Sequence, residues 1–179
     1  MKESRKYYLV GMPSSGKSTV GKLLAGFLGL TFVDLDDVIV AEEGMEISEI
    51  FSSKGEPYFR ELERDSLHDH INKEEGFVMA TGGGTPCFFD NMNKMNLSGT
   101  TIFLKVDVDQ LFTKLSKKGI QKRPLLKDKT LEELHAELKN KFEERRVYYE
   151  QAKIVLDQTF KDISDRTNEV LFAIRTLEK

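Results

Sequence analysis

The sequence predicts an α/β layered protein with a largely parallel sheet, and three observations lead to that fold class. Five short apolar runs do not alternate with polar residues, which is typical of strands buried on both faces. These runs are residues 7–10, 31–33, 77–80, 101–106 and 154–156. The segments between them are too long for hairpins and suit crossover helices. The first run also leads directly into a glycine-rich loop that opens a helix.

Length and composition favour one domain spanning residues 1–179. Hydrophobic residues make up 39% of the chain and charged residues 32%, which excludes a disordered tail, a collagen-like fibre and a membrane protein. The single cysteine, Cys87, excludes an internal disulfide framework. The net charge is -3, and no apolar stretch reaches about 18 residues. We therefore expect no nucleic-acid partner, no membrane association and a cytoplasmic location.

The segment after the first run, GMPSSGKS, matches the phosphate-loop pattern Gly-x4-Gly-Lys-Ser/Thr, and a helix follows from residue 18 to about 28. Glycines allow backbone N–H groups to close around phosphate oxygens, and the helix N-terminus adds partial positive charge. Lys17 would reach the β- and γ-phosphates, and the Ser18 hydroxyl would bind Mg²⁺. The candidate nucleotide-binding residues are Gly11, Ser14, Ser15, Gly16, Lys17, Ser18 and Thr19.

The second run ends in three carboxylates, Asp34, Asp36 and Asp37. In an extended segment, Asp34 and Asp36 would point to the same side. Asp34 could then hold Mg²⁺ through water, and Asp36 could accept a proton from a substrate hydroxyl. A solvated turn or a helix cap is the alternative, and Asp37 suits that alternative.

An arginine interrupts the apolar face of the helix that follows. Gly55 suits a helix C-terminus and Pro57 the first turn of a new helix. Arg60 then projects onto the same face as Leu67, flanked by Glu63. This cation forms either a structural ion pair with Glu63 or a clamp for an anionic ligand.

The third run ends in three successive glycines, Gly82, Gly83 and Gly84. A single glycine would satisfy a tight turn, whereas three remove every Cβ and favour close approach of a ligand to the backbone. We interpret Cys87, just beyond them, as a small packed residue without a catalytic role.

Residues 114–129 are basic and lack an apolar pattern. Such a run is either a solvated surface or a mobile lid over the phosphates. In the second case Arg123 would stabilise charge on a transferring phosphoryl group and exclude water.

The next helix is predicted from residue 131 to about 150, with Thr130 as its cap. Its inner stripe consists of Leu131, Leu134, Leu138 and Phe142. On the same helical wheel Arg145 and Tyr149 face inward, whereas Arg146 lies well off the stripe. An inward arginine is costly to bury alone, so a carboxylate of the protein or of a ligand should meet Arg145.

Taken together, these motifs resemble the shikimate kinase family of small P-loop proteins related to nucleoside monophosphate kinases. The resemblance follows the family order over nearly the whole chain. It consists of Gly11-x4-Gly16-Lys17-Ser18, Asp34-Leu35-Asp36, Gly55-Glu56-x2-Phe59-Arg60-x2-Glu63, Gly82-Gly83-Gly84, Arg123-Pro124-Leu125-Leu126 and Arg145-x3-Tyr149. It implies a three-layer P-loop fold: a five-stranded parallel sheet flanked by helices, an acid-binding helical segment at about 37–63 and a mobile lid at about 114–129.

The resemblance also implies an activity: transfer of the ATP γ-phosphate to the 3-hydroxyl of shikimate, with Mg²⁺ as cofactor. Lys17, Asp36 and Arg123 would be catalytic, and Ser18 and Asp34 would hold the metal. The shikimate-binding residues would be Asp36, Arg60, Glu63, Gly82, Gly83 and Arg145.

Two other functions fit parts of the same pattern. Another small P-loop kinase, such as a gluconate kinase, would keep the phosphate loop but should lack the pair of inward arginines with the triple glycine. A nucleotide-dependent regulator would bind or hydrolyse ATP without transferring phosphate to a small acid. The complete active site within one domain is compatible with a monomer, which we expect.

Overall fold

The computed structural model describes residues 5–117 and 130–179, and in this part of the chain five parallel strands form one sheet. The strands are β1 (Lys6–Val10), β2 (Thr31–Asp34), β3 (Phe77–Ala80), β4 (Thr100–Lys105) and β5 (Ile154–Asp157). Their order across the sheet is β2-β3-β1-β4-β5. The predicted fold class and five-stranded sheet are confirmed. The predicted lid residue Arg123 lies outside the described residues.

Within the described ranges, seven α-helices connect and cover the strands. They are α1 (Lys17–Leu28), α2 (Leu35–Glu43), α3 (Ile47–Ile71), α4 (Asn91–Ser98), α5 (Val108–Lys117), α6 (Leu131–Tyr149) and α7 (Ile163–Leu177). A short 3₁₀-helix spans Thr85–Cys87. No helix in this part of the chain has both the length and the apolar character that crossing a bilayer requires.

The central strand β1 shows why helices lie on both faces of the sheet. Successive side chains of a strand point to opposite faces. Tyr8 and Val10 join one buried cluster, to which α2, α3, α4, α5 and α6 contribute. Tyr7 and Leu9 join a second cluster, formed with α1 and α7. Two cores separated by one sheet give the predicted three layers, and they leave the loops at the carboxyl ends of the strands to form a site.

Helix α3 contains the break that its sequence predicts. Gly55 has φ 83° and ψ 168°, in a region that favours glycine, and Pro57 follows at the start of the second helical part. The break separates the part of α3 that carries Phe51 from the part that carries Arg60 and Glu63. The two parts therefore present aromatic and charged groups to the same region.

Helix α6 begins after the predicted cap, but one residue of its predicted inner stripe is exposed. The Thr130 hydroxyl accepts a hydrogen bond from the N–H of Glu133 at 3.1 Å, and the Glu133 side chain accepts one from the Thr130 N–H at 2.8 Å. Leu134, Leu138 and Phe142 are buried, but Leu131 is 53% exposed, so its predicted place in the inner stripe is wrong. Leu131 is the first residue of α6 and lies one turn before the buried part of the stripe.

Gly99, which lies between α4 and β4, should be critical for stability. A Cβ at Gly99 would clash with the backbone oxygen of Lys6 in β1, and the backbone of a paired strand cannot shift easily. We expect Gly99→Ala to lower the free energy of unfolding by about 1–3 kcal/mol in urea denaturation.

Gly26→Ala is the matched control, because nothing lies within 4 Å of a Cβ at this exposed position of α1. Higher helix propensity should make that variant about 0.5–1 kcal/mol more stable. Equal stability of the two variants would contradict the predicted clash at Gly99.

Candidate active site

Three loops that follow neighbouring strands meet at the carboxyl edge of the sheet. The phosphate loop follows β1, Asp34 ends β2, and the triple glycine follows β3. Since β3 is paired with both β1 and β2 in parallel register, the three strand ends lie side by side. The structure thus brings together the predicted site residues of all three loops.

The phosphate loop adopts a conformation that ordinary residues avoid. Gly11 has φ 142°, Ser14 φ 65° and Gly16 φ 100°. A Cβ at Gly11 would lie 2.9 Å from the backbone oxygen of Leu104, so the first glycine is required for space as well as for conformation. No side chain caps the N-terminus of α1, which leaves its first N–H groups available to an anion.

Lys17 is held against the loop it follows. Its side chain is buried, and Nζ donates hydrogen bonds of 2.9 Å to the backbone oxygens of Gly11 and Met12. Burial lowers the pKa of Lys17 to about 8, and the negative charges of Asp36 and Asp34 oppose that effect. The ammonium group is thus desolvated and close to two carboxylates.

Ser18 and Asp34, the two predicted metal ligands, are in direct contact. The Ser18 hydroxyl donates to Oδ2 of Asp34 at 2.6 Å. Asp34 also caps α2, because its Oδ1 accepts from the N–H of Asp36 at 3.3 Å. The expectation that Asp34 and Asp36 share one side of an extended segment is wrong: β2 ends at Asp34, and Asp36 lies in the first turn of α2. Asp37, in the same turn, is exposed, as its predicted role in a solvated cap requires.

Asp36 lies in an unusually anionic environment. Its pKa is raised to about 6, first because the carboxyl group is buried and then because Glu63 and Asp34 are negatively charged. The positive charge of Lys17 opposes the shift. A carboxylate with a raised pKa and no ion pair among the described residues is a suitable acceptor for a hydroxyl proton.

Arg60 and Glu63 form an ion pair, which was one of the two alternatives predicted for Arg60. Arg60 is 7% exposed and Glu63 is 1% exposed, and Nη1 of Arg60 donates to Oε2 of Glu63 at 2.8 Å. Nη2 and Nε of Arg60 donate to one oxygen of Glu56 at 2.9 and 3.1 Å. The second oxygen of Glu63 accepts from the Thr85 hydroxyl. The pair fixes the orientation of Arg60 and is compatible with a role in ligand binding.

Three aromatic rings surround the Arg60 guanidinium group. Its central carbon lies 5.9 Å from the ring centre of Phe51, 5.2 Å from that of Phe59 and 4.5 Å from that of Phe88. The sequence motifs did not identify Phe88 as part of this group. Its position just after the 3₁₀-helix gave no periodic signal.

Each glycine of the triplet makes room for a different neighbour. A Cβ at Gly82 would clash with Oε1 of Glu63, and one at Gly83 would lie 2.7 Å from Cδ of Pro13. A Cβ at Gly84 would lie 2.5 Å from Nη1 of Arg60. The three glycines thus allow the charged side chains to pack directly against the loop. Gly84 belongs to the site although the predicted set contained only Gly82 and Gly83.

Arg145 reaches this loop from α6, whereas Arg146 faces away. Nη1 of Arg145 lies 3.2 Å from the position of a Cβ on Gly83. No ion pair joins Arg145 to a carboxylate within the described residues, while Arg146 pairs with Glu150 at 2.8 Å on the exposed side of the helix. Tyr149, fully buried one turn later, donates a hydrogen bond of 2.5 Å to the backbone oxygen of Gly83. The helical wheel therefore predicted the orientations of Arg145 and Arg146 correctly.

The remaining predicted positions are placed as follows. Ser15 is buried in the loop, Ser14 is partly buried, and Thr19 is exposed in the first turn of α1. Cys87 is partly buried, and burial raises the pKa of its thiol to about 11, so a packing role without thiolate chemistry suits it.

The chain is similar to shikimate kinases in sequence and in fold. The family model for shikimate kinase matches residues 13–175. The shikimate kinase of Parabacteroides distasonis is 42% identical over 171 residues, which cover 93% of this chain and 98% of that protein. The shikimate kinase structure from Bacteroides thetaiotaomicron superposes with a TM-score of 0.87 at 36% identity, covering 96% of this chain and 98% of that one.

A shikimate kinase from Acinetobacter baumannii, solved in complex with shikimate, superposes with a TM-score of 0.86 at 28% identity and covers 97% of this chain and 95% of its own. The family model and the curated relative both extend over most of the chain. The chain therefore belongs to the shikimate kinase family.

Proposed function

We propose that this chain transfers the γ-phosphate of ATP to the 3-hydroxyl of shikimate, giving shikimate 3-phosphate and ADP. The observation that carries this proposal is the pair Arg60 and Arg145 beside the triple glycine, at the same edge of the sheet as Asp36 and the phosphate loop. Two guanidinium groups suit a small carboxylic acid, and an adjacent carboxylate suits its hydroxyl groups. The relative from Acinetobacter baumannii that binds shikimate supports the choice of acid.

In this proposal the phosphate loop and the start of α1 hold the nucleotide. The binding residues are Gly11, Ser14, Ser15, Gly16, Lys17, Ser18 and Thr19. Lys17 exchanges its two backbone acceptors for phosphate oxygens when ATP binds. Its burial makes that exchange favourable, because a desolvated ammonium group interacts strongly with an anion.

Ser18 and Asp34 fit the Mg²⁺ ion that such a reaction requires. Their oxygens are hard ligands and lie 2.6 Å apart at the end of the phosphate loop. The described residues contain no cluster of three or more histidine, cysteine or carboxylate ligands, which suits an ion that takes most of its ligands from phosphate and water. When bound, Mg²⁺ neutralises charge on the β- and γ-phosphates.

The two arginines would hold the shikimate carboxylate between α3 and α6. Glu63 orients Arg60 as a donor fork, and the backbones of Gly82 and Gly83 approach the acid because no Cβ intervenes. Phe51 and Phe59 would line the apolar side of the ring.

Asp36 would bind the reacting hydroxyl group and accept its proton. The hydroxyl oxygen then forms a bond to the γ-phosphorus while the bond between that phosphorus and the β–γ bridging oxygen breaks, and ADP leaves. Arg123, from the predicted lid, would stabilise charge on the phosphoryl group during transfer. Positioning and charge neutralisation supply most of the rate enhancement in such a reaction.

The enzyme would thus be a phosphotransferase with an alcohol acceptor, and we propose that it acts as a cytoplasmic monomer. ADP release coupled to NADH oxidation tests the reaction with Mg-ATP and shikimate, gluconate or nucleoside monophosphates. We expect release only with shikimate. Release with gluconate instead would indicate another metabolite kinase, and ADP release independent of any acceptor would indicate a nucleotide-dependent regulator.

Replacing Arg145 tests the acid clamp. We expect Arg145→Met to raise the KM for shikimate at least tenfold, because removing one charged hydrogen-bond donor costs about 1.5–3 kcal/mol. The KM for ATP should change little. Arg146→Met is the matched control, and steady-state kinetics should leave its shikimate KM within about twofold of the unsubstituted enzyme.

The raised pKa of Asp36 predicts a pH dependence. The carboxylate must be ionised to accept a proton, so kcat/KM for shikimate should rise with pH up to about 6 and level off above it. The kcat/KM for ATP should fall above about pH 8, because Lys17 then loses its proton in the enzyme without nucleotide. An acid limb centred near pH 4 would contradict the assignment of Asp36.

Asp36→Asn separates function from stability. The folded state favours protonated Asp36, because its pKa is about 6 against an ordinary value of 3.8. Ionisation therefore destabilises the fold as pH rises through this range. At pH 7.5 the variant should lose turnover yet gain on the order of 2 kcal/mol in urea denaturation. The gain should vanish near pH 4.

A further inference from the structure

Arg166 is a buried arginine outside the predicted site. It lies in the first turns of α7, is 3% exposed, and uses its guanidinium group for two backbone contacts. Nη1 donates to the backbone oxygen of Ser15 in the phosphate loop at 2.9 Å, and Nε donates to that of Lys161 at 2.9 Å. One side chain therefore joins the loop after β1 to the connection between β5 and α7.

No carboxylate pairs with Arg166 in the part of the chain that the structure describes. Burial alone lowers the pKa of this arginine, and no neighbouring charge is among the causes. A cation near a helix N-terminus also lies at the unfavourable end of the helix dipole. A buried charge without a counter-ion destabilises a fold, and a bound anion would reduce that cost.

The contact with Ser15 sets the direction of one peptide group. The peptide bond between Ser15 and Gly16 is trans, so the Ser15 carbonyl and the Gly16 N–H point in opposite directions. Because Arg166 holds that carbonyl towards α7, the Gly16 N–H points away from α7, into the phosphate loop. A Cβ at Gly16 would lie 3.5 Å from Nη1, so the guanidinium group lies directly behind this peptide.

A second contact fixes the guanidinium group itself. Lys161, whose oxygen accepts from Nε, is in turn anchored by its own ammonium group to the backbone oxygen of Asp157 at 2.7 Å and to Glu169 at 2.6 Å. Arg166 is therefore held from two sides. Its charge stays behind the loop.

We propose that Arg166 is a positioning residue for nucleotide binding: it aims the Gly16 N–H at the phosphates and places an uncompensated positive charge behind the loop. This inference rests on the proposed nucleotide site. The phosphates of the nucleotide provide the counter-charge that the protein does not supply, so Arg166 affects nucleotide affinity and leaves acid affinity unchanged.

Calorimetric titration with Mg-ADP tests this role without relying on turnover. We expect Arg166→Met to bind Mg-ADP about tenfold more weakly, which corresponds to about 1.4 kcal/mol. The KM for ATP should rise by a similar factor, while the KM for shikimate stays within about twofold. Arg175→Met is the control: Arg175 is exposed two turns later on the same helix, and its loss should leave Mg-ADP binding unchanged.

Arg166→Lys keeps the charge but cannot bridge both backbone oxygens with a planar fork, so it should bind Mg-ADP with intermediate affinity. This variant also serves if Arg166→Met does not fold. Unchanged Mg-ADP affinity in a folded Arg166 variant would overturn the inference, as would equal losses for both substrates. No Mg-ADP binding by the unsubstituted protein would instead refute the proposed function.

Discussion

The carboxyl edge of the sheet depends on one buried anion, Glu63. Its two oxygens accept hydrogen bonds from Arg60 and from the Thr85 hydroxyl, and it is almost completely removed from water. A carboxylate at this depth is tolerated only when both oxygens are satisfied. This requirement explains why the chain approaches Glu63 without any Cβ at Gly82 and why Gly84 leaves space for the Arg60 guanidinium group. Gly82 and Gly84 are therefore packing requirements of an ion pair.

The same anion affects the group that we propose as the proton acceptor. Glu63 and Asp34 both raise the pKa of Asp36, and Lys17 only partly offsets them. Lys17 itself has a lowered pKa because it is buried. The site thus holds charges of both signs away from water, and this desolvation lowers the stability of the fold. A magnesium nucleotide and a carboxylic acid would neutralise these charges, which links the proposed substrates to the electrostatics of the site.

The sequence predicted the elements of the fold well, because buried strands, phosphate-loop glycines and helix caps all depend on local patterns. Periodicity also identified Arg145, since the face of a helix follows from spacing alone. The prediction that Leu131 is buried was wrong because spacing alone gives only the face of a helix. A helical wheel does not show where along the helix the core begins. Arg166 could not be found, because its role depends on which loop packs against it in three dimensions.

The two proposed clamp arginines differ in a way that the fold explains. The charge of Arg60 is already matched by Glu63 and Glu56, so its contribution to an arriving acid is mainly geometric: a fork held in place by aromatic rings. Arg145 has no such carboxylate partner among the described residues, and its charge is the one that a ligand carboxylate would neutralise. A site with two matched arginines would attract an anion weakly, and one with two unmatched arginines would be unstable when empty. One matched and one unmatched arginine together allow the site to attract an anion without making the fold unstable.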